Sequence, residues 1–166
     1  SGIYILGVIG FMLYLIYGYF KALSIINNCE IKTLFDTEVC VTKKDVHPFS
    51  FFNKIIISEK ALENPKLDMI VTHEKIHVNE RHTLDIIFAE ILFILQWFNP
   101  FAWLIKNAMK SNMEYKTDDV LAKQYNSEQY QLTMVGLAHK KGVAPFLTAL
   151  NGSQLKNRLV MMKKKT

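Results

Sequence analysis

Residues 71–77 read Val71-Thr72-His73-Glu74-Lys75-Ile76-His77. Two histidines four positions apart fall on one face of a helix, since that spacing is little more than one turn. Both imidazoles can then reach one ion. Glu74 sits beside that face, where a carboxylate can take a proton from a metal-polarised water. A pattern with so few fixed positions also arises by chance on solvated helices. Here Val71 and Ile76 supply the apolar neighbours of a packed helix, and Pro65 and Asp68 suit its start. His73 and His77 are therefore read as metal ligands and Glu74 as the general base. Zinc (Zn2+) fits the task, because it keeps an open fourth position and lowers the pKa of its water to about 7.

Such an ion needs a third protein ligand. His82 follows His77 by five residues, about 140° around a straight helix, and is read as a polar flank. The metzincin pattern would place Gly at position 80 and His at position 83, where this chain has Glu80 and Thr83. Glu114 is the better candidate. In Glu114-Tyr115-Lys116-Thr117-Asp118 the two acids are four apart on one helical face. The gluzincin arrangement uses such a pair: the Glu binds zinc, and the Asp hydrogen-bonds a ligating histidine and so fixes its tautomer. Glu114 is read as the third ligand and Asp118 as the orienting group. The competing reading is a solvated acidic face.

This assignment decides the topology of the apolar block from Leu84 to Ile105. If His77 and Glu114 share one ion, the chain between them must go out and return, so the block is not a simple transmembrane span. Asp85 and Glu90 within it agree, since each acid at bilayer depth costs about 2.5–3.5 kcal/mol. Asn99-Pro100 is the natural reversal point. Trp97 and Trp103 flank it, suited equally to a membrane interface and to ordinary core packing. The expectation is a helical hairpin over 84–105 whose tip meets the bilayer.

Upstream, residues 1–20 carry no charge and Lys21 closes the run. A helix of that length rises about 30 Å, the thickness of a bilayer core. The segment lacks a basic start and a small-residue cleavage site, so residues 1–22 are read as a transmembrane helix rather than a signal peptide. The Ser-Gly start suggests a fragment of a longer protein. Lys21, Lys32, Lys43 and Lys44 favour the cytoplasm for the chain beyond this helix. Residues 31–42 and 49–58 are rich in Val, Ile, Thr and Phe and predict two or three short strands joined by hairpins, with Ile55-Ile56-Ile57 the strongest signal. Further helices are expected over 101–125 and 128–140. Cys29 and Cys40, with ten residues between them, match neither a usual zinc spacing nor a redox motif and are read as free thiols of a reduced compartment, a disulfide between them being the alternative.

Of the 166 residues 50% are hydrophobic and 21% charged, which suits a membrane-associated protein with its apolar residues in blocks. The net charge of +5 is modest, and no basic stretch is interleaved with aromatics, so direct nucleic-acid binding is not expected.

Taken together, the motifs resemble those of the BlaR/MecR-type membrane metallopeptidases, which sense beta-lactams in some bacteria. The likeness lies in His73-Glu74-Lys75-Ile76-His77, in Trp97-Phe98-Asn99-Pro100-Phe101-Ala102-Trp103 and in Glu114 to Asp118. Pro48-Phe49-Ser50-Phe51-Phe52 and Leu155-Lys156-Asn157-Arg158-Leu159 add to it. Many members carry a cysteine where this chain has Thr117. The resemblance implies a gluzincin domain among transmembrane helices of the bacterial inner (cytoplasmic) membrane, facing the cytoplasm. It further implies antirepressor signalling, in which a transcriptional repressor and the protease itself are cut, the signal coming from parts of the protein beyond this chain. By position it supports His73, His77 and Glu114 as ligands and Glu74 as base.

The fold expected is α+β and mainly helical: a transmembrane helix over 1–22, then a membrane-associated gluzincin-like domain over 23–166 with a small β-hairpin sheet. Membrane lipid and a protein substrate are the expected partners, with an extended substrate lying along the Ile55–Ser58 strand. His139, Tyr115 and Tyr125 are undistinguished as oxyanion stabilisers. One rival is a catalytically silent zinc-binding signalling module in a membrane receptor, which the intact Glu74 opposes. A second is a structural membrane protein whose motif is a surface helix.

Overall fold

The computed structural model describes residues 2–125, 128, 130–133 and 155–162. The chain forms two compact units, residues 1–110 and 111–166. The first holds α1 (Gly2–Ile26), β1 (Glu30–Leu34), β2 (Thr37–Thr42), β3 (Phe49–Phe51) and β4 (Lys54–Ser58). After a 3-10 turn over Glu59–Glu63 come α2 (Leu67–Asn79), α3 (His82–Leu95) and α4 (Pro100–Gln124), whose C-terminal half belongs to the second unit. The described chain is mainly helical with one small mixed sheet.

The sheet has four strands in the order β1-β2-β4-β3, one strand more than the upper expectation. Its two hairpins are tight. Phe35 and Asp36 both adopt positive φ between the paired Leu34 and Thr37, the backbone a two-residue hairpin turn requires. Phe52 does so alone between Phe51 and Lys54. The hairpins join through β2 and β4, which run parallel.

Side-chain alternation splits the sheet's apolar residues between two faces. Val39, Val41, Ile55 and Ile57 form one core with Leu67 and Val71 of α2, which is why the motif helix packs there. Cys40 and Ile56 turn the other way and meet Ile25 and Ile26, the last residues of α1. Burial on both faces explains the unbroken Ile55-Ile56-Ile57 run, which alternation alone would not produce.

Two expectations change here. Cys29 and Cys40 are not free thiols: they are joined in a disulfide with Cα atoms 5.4 Å apart. Cys29 stands just before β1, two residues from the Ile31 that pairs with Cys40, and the chain leaving α1 brings it within bridging distance although the sequence spacing matches no motif. The Ile55–Ser58 strand is also no sheet edge. β4 lies between β2 and β3, and the free edges are those of β1 and β3.

Helix α1 is long and apolar enough to cross a membrane, and its most apolar window is unburied. Its N-terminal half packs on the end of α3. Phe11 stacks edge-on against Phe93, and the Tyr4 hydroxyl donates to the Leu95 carbonyl at 3.0 Å. Gly7 permits the approach, since a Cβ there would overlap the Trp97 indole. Beyond α3, Asn99 Oδ1 accepts the Phe101 N–H at 3.0 Å and so caps α4, with Pro100 its first residue. The chain doubles back at this point: Lys106 of α4 pairs with Glu90 of α3 at 2.6 Å and lies over the Phe93 ring. Phe88, Leu95, Phe101, Leu104 and Ile105 remain exposed on these two helices.

Candidate metal centre

Helix α2 packs on the sheet core through Leu67 and Val71, whereas His73 and His77 fall on another face of the helix, together with the buried Met69 and Ile70. The two imidazoles approach through their Nε2 atoms, 3.1 Å apart. Glu74, next to His73 on the same helix, is half-buried.

The straight-helix geometry on which the offset of about 140° for His82 rests does not hold, because the structure breaks the helix before that residue. Helix α2 begins at Leu67 and ends at Asn79, and Arg81 takes a left-handed conformation (φ 56, ψ 33) before α3 starts at His82. The break cancels the 140° offset expected of His82 and returns its ring to His77. Their Nδ1 atoms are 2.6 Å apart, and His82 is only 4% exposed. His82 is therefore a buried partner of a motif histidine, not a polar flank. Thr83 extends the junction by accepting the Phe52 N–H at 3.0 Å, which ties the β3–β4 hairpin to the first turn of α3.

His73, His77 and Glu114 form a group that could hold a metal ion, each offering one ligand atom, all within 4.8 Å of one another. The donor set suits such an ion. Two nitrogens each about 2.0–2.1 Å from one tetrahedral metal stand about 3.3 Å apart. The 3.1 Å between the two Nε2 atoms is close to that.

Asp118 lies in the second unit with a different set of partners from the one anticipated. The Tyr130 hydroxyl donates to its Oδ1 at 2.8 Å, and Arg158 donates through Nε to Oδ2 at 2.8 Å and through a terminal nitrogen to Oδ1 at 2.6 Å. The other terminal nitrogen of Arg158 pairs with Glu114 at 2.7 Å. The orienting bond from Asp118 to a histidine is not among these contacts. Burial and the Asp118 carboxylate push the Tyr130 phenol well above its usual range, so it remains a proton donor. Burial alone would lower the Arg158 pKa, but its bonds to Asp118 and the Glu114 charge reverse this, and the guanidinium stays cationic. In the sequence Arg158 stands out only as one residue of a tail motif. Its forty-residue separation from Asp118 leaves no local signal of the pairing. Tyr115 and Tyr125 are half-buried on and just beyond α4, and His139 lies outside the described residues.

A helix carrying His-Glu-x-x-His, with a carboxylate completing the ligand group, is the mark of a metallopeptidase. The chain belongs to the BlaR1 peptidase family M56, whose sequence model matches residues 2–162. No curated protein matches it.

Proposed function

We propose that this chain is the catalytic part of a membrane-embedded zinc endopeptidase of the antirepressor, sensor-transducer type, cutting a regulatory protein and itself. The observation that carries the reading is the convergence of His73, His77 and Glu114 within 4.8 Å. Family membership supports peptidase activity. The apolar α1 and the exposed apolar residues of α3 and α4 support seating in the membrane.

In this reading His73 and His77 bind through nitrogen and Glu114 through oxygen, a donor set that suits zinc. The bound ion would polarise a water and the scissile carbonyl. Glu74 takes a proton from the attacking water on its carboxylate and delivers it to the leaving amine nitrogen. An extended substrate adds to the free edge of β3 instead of β4, because β4 is already paired on both sides. The substrate we favour is a transcriptional repressor, reached from the cytoplasmic face of the bacterial inner membrane.

Glu74→Gln tests the chemistry. It should retain zinc in stoichiometric amount while cleavage falls by about 100-fold or more, the scale of a lost general base. Full activity of the zinc-loaded variant would remove Glu74 from the mechanism.

A further inference from the structure

His77 uses its two ring nitrogens in opposite directions. Nε2 faces His73 Nε2 at 3.1 Å, on the side where the ligand group converges, and Nδ1 faces His82 Nδ1 at 2.6 Å. The His77 and His82 rings stand 4.7 Å apart between centroids and are steeply inclined, an arrangement set by an in-plane bond and not by stacking. A 2.6 Å approach of two nitrogens requires that one donate a proton and the other accept it.

We propose that His82 is a positioning residue: its Nδ1 accepts the Nδ1–H of His77, and so fixes the tautomer that leaves His77 Nε2 free to ligate. This deepens the reading above and rests on it. A ligating histidine must be unprotonated at the ligating nitrogen, which puts its proton on the other one. That proton needs an acceptor, and His82 Nδ1 stands where the acceptor must be. His82 then carries its own proton on Nε2. Because its Nδ1 is engaged on the side of His77 remote from His73, His82 does not ligate the same ion through that atom.

Three features of the chain hold this acceptor in place. His82 is 4% exposed, so water has little access to compete for the bond. Arg81 adopts φ 56, which breaks the helix and turns α3 back toward α2. The Thr83 hydroxyl, one residue on, accepts the Phe52 N–H and pins the start of α3 to the sheet. Asp118, the residue expected from spacing to do this task, has both oxygens occupied by Tyr130 and Arg158.

The test measures zinc affinity of the full chain by competition with a chromophoric chelator, with no assay of cleavage. His82→Phe keeps the ring and removes the acceptor, and affinity should fall about 10–100-fold, the usual effect of losing such a partner. His82→Asn puts an amide oxygen near the Nδ1 position and should recover most of that loss. In a His77→Ala background, His82→Phe should cost nothing further. Nitrogen-15 NMR of the zinc-loaded wild type should place the His77 proton on Nδ1, a signature that does not depend on whether any variant folds. If His77→Ala abolishes tight zinc binding while His82→Phe leaves it intact, or if the His77 proton is on Nε2, the role of His82 is overturned. If His77→Ala leaves zinc affinity unchanged, the metal centre itself is wrong.

Discussion

Asp118 is 1% exposed, and a carboxylate in that position is tolerable only because Tyr130 and Arg158 direct three hydrogen bonds at it. Arg158 also pairs with Glu114, so one guanidinium serves both acids of the Glu114–Asp118 pair. Two carboxylates one helical turn apart repel each other, and a planar, permanently charged fork suits the space between them better than an ammonium does. Arg158→Gln strands the Asp118 charge and should destabilise the second unit by about 3–5 kcal/mol, with Arg158→Lys in between. Thermal unfolding followed by circular dichroism reads the difference; an unchanged midpoint for Arg158→Gln would show that these bonds add nothing. Thr117 beside it is fully buried, and its hydroxyl has no hydrogen-bond partner among the described residues. A cysteine at that site, as in many family members, buries a more weakly polar group.

Among the helices, α1 and α3 depend on one small residue. A side chain at Gly7 would occupy the volume of the Trp97 indole, whereas nothing lies within 4 Å of a Cβ placed at Gly10 or Gly18. Gly7→Leu should therefore push α1 off α3 at a cost of about 1–3 kcal/mol, the range for overpacking. Gly10→Leu, on the same helix, serves as control. A lowered unfolding temperature and altered tryptophan emission for the first and neither for the second is the expected result; equal behaviour would deny the packing. The α3–α4 reversal has a local cause that sequence carries plainly, because Asn99 caps and Pro100 opens the following helix. The α2–α3 break carries no such sign. Glu80-Arg81 contains neither glycine nor proline, and Arg81 holds a left-handed backbone that an L-residue adopts at a cost. Packing on both sides of the break sustains it, and packing is not visible in a local stretch.

At the scale of the whole molecule, the Cys29–Cys40 bond bears on which side of the membrane the sheet occupies. Disulfides persist in oxidising compartments and are kept reduced in the cytosol. The disulfide of the structure therefore stands against the cytoplasm-facing orientation proposed above, which requires this bond to be reduced to two thiols in the cell. Membranes alkylated in situ and analysed by mass spectrometry should yield two modified cysteines. An unmodified, bridged pair would put the sheet on the outer face and exclude a cytoplasmic repressor as its substrate. The acid on the reversing hairpin is compatible with either side, since Glu90 is neutralised by Lys106 at 2.6 Å and Lys110 at 3.5 Å.

The sequence by itself determined the parts that depend on local spacing. His73, Glu74 and His77 share one helix because they lie within five residues, the family follows from the order of its motifs, and Asn99-Pro100 dictates a turn. Tertiary structure alone decided the rest. It placed β4 inside the sheet, closed Cys29 on Cys40, and gave Asp118 to Tyr130 and Arg158. Above all it brought His82 to His77 by breaking a helix that local propensity would have continued. Spacing along a chain predicts proximity only while the backbone stays regular, and at Arg81 the backbone leaves the helix for a conformation that only contacts distant in sequence can hold.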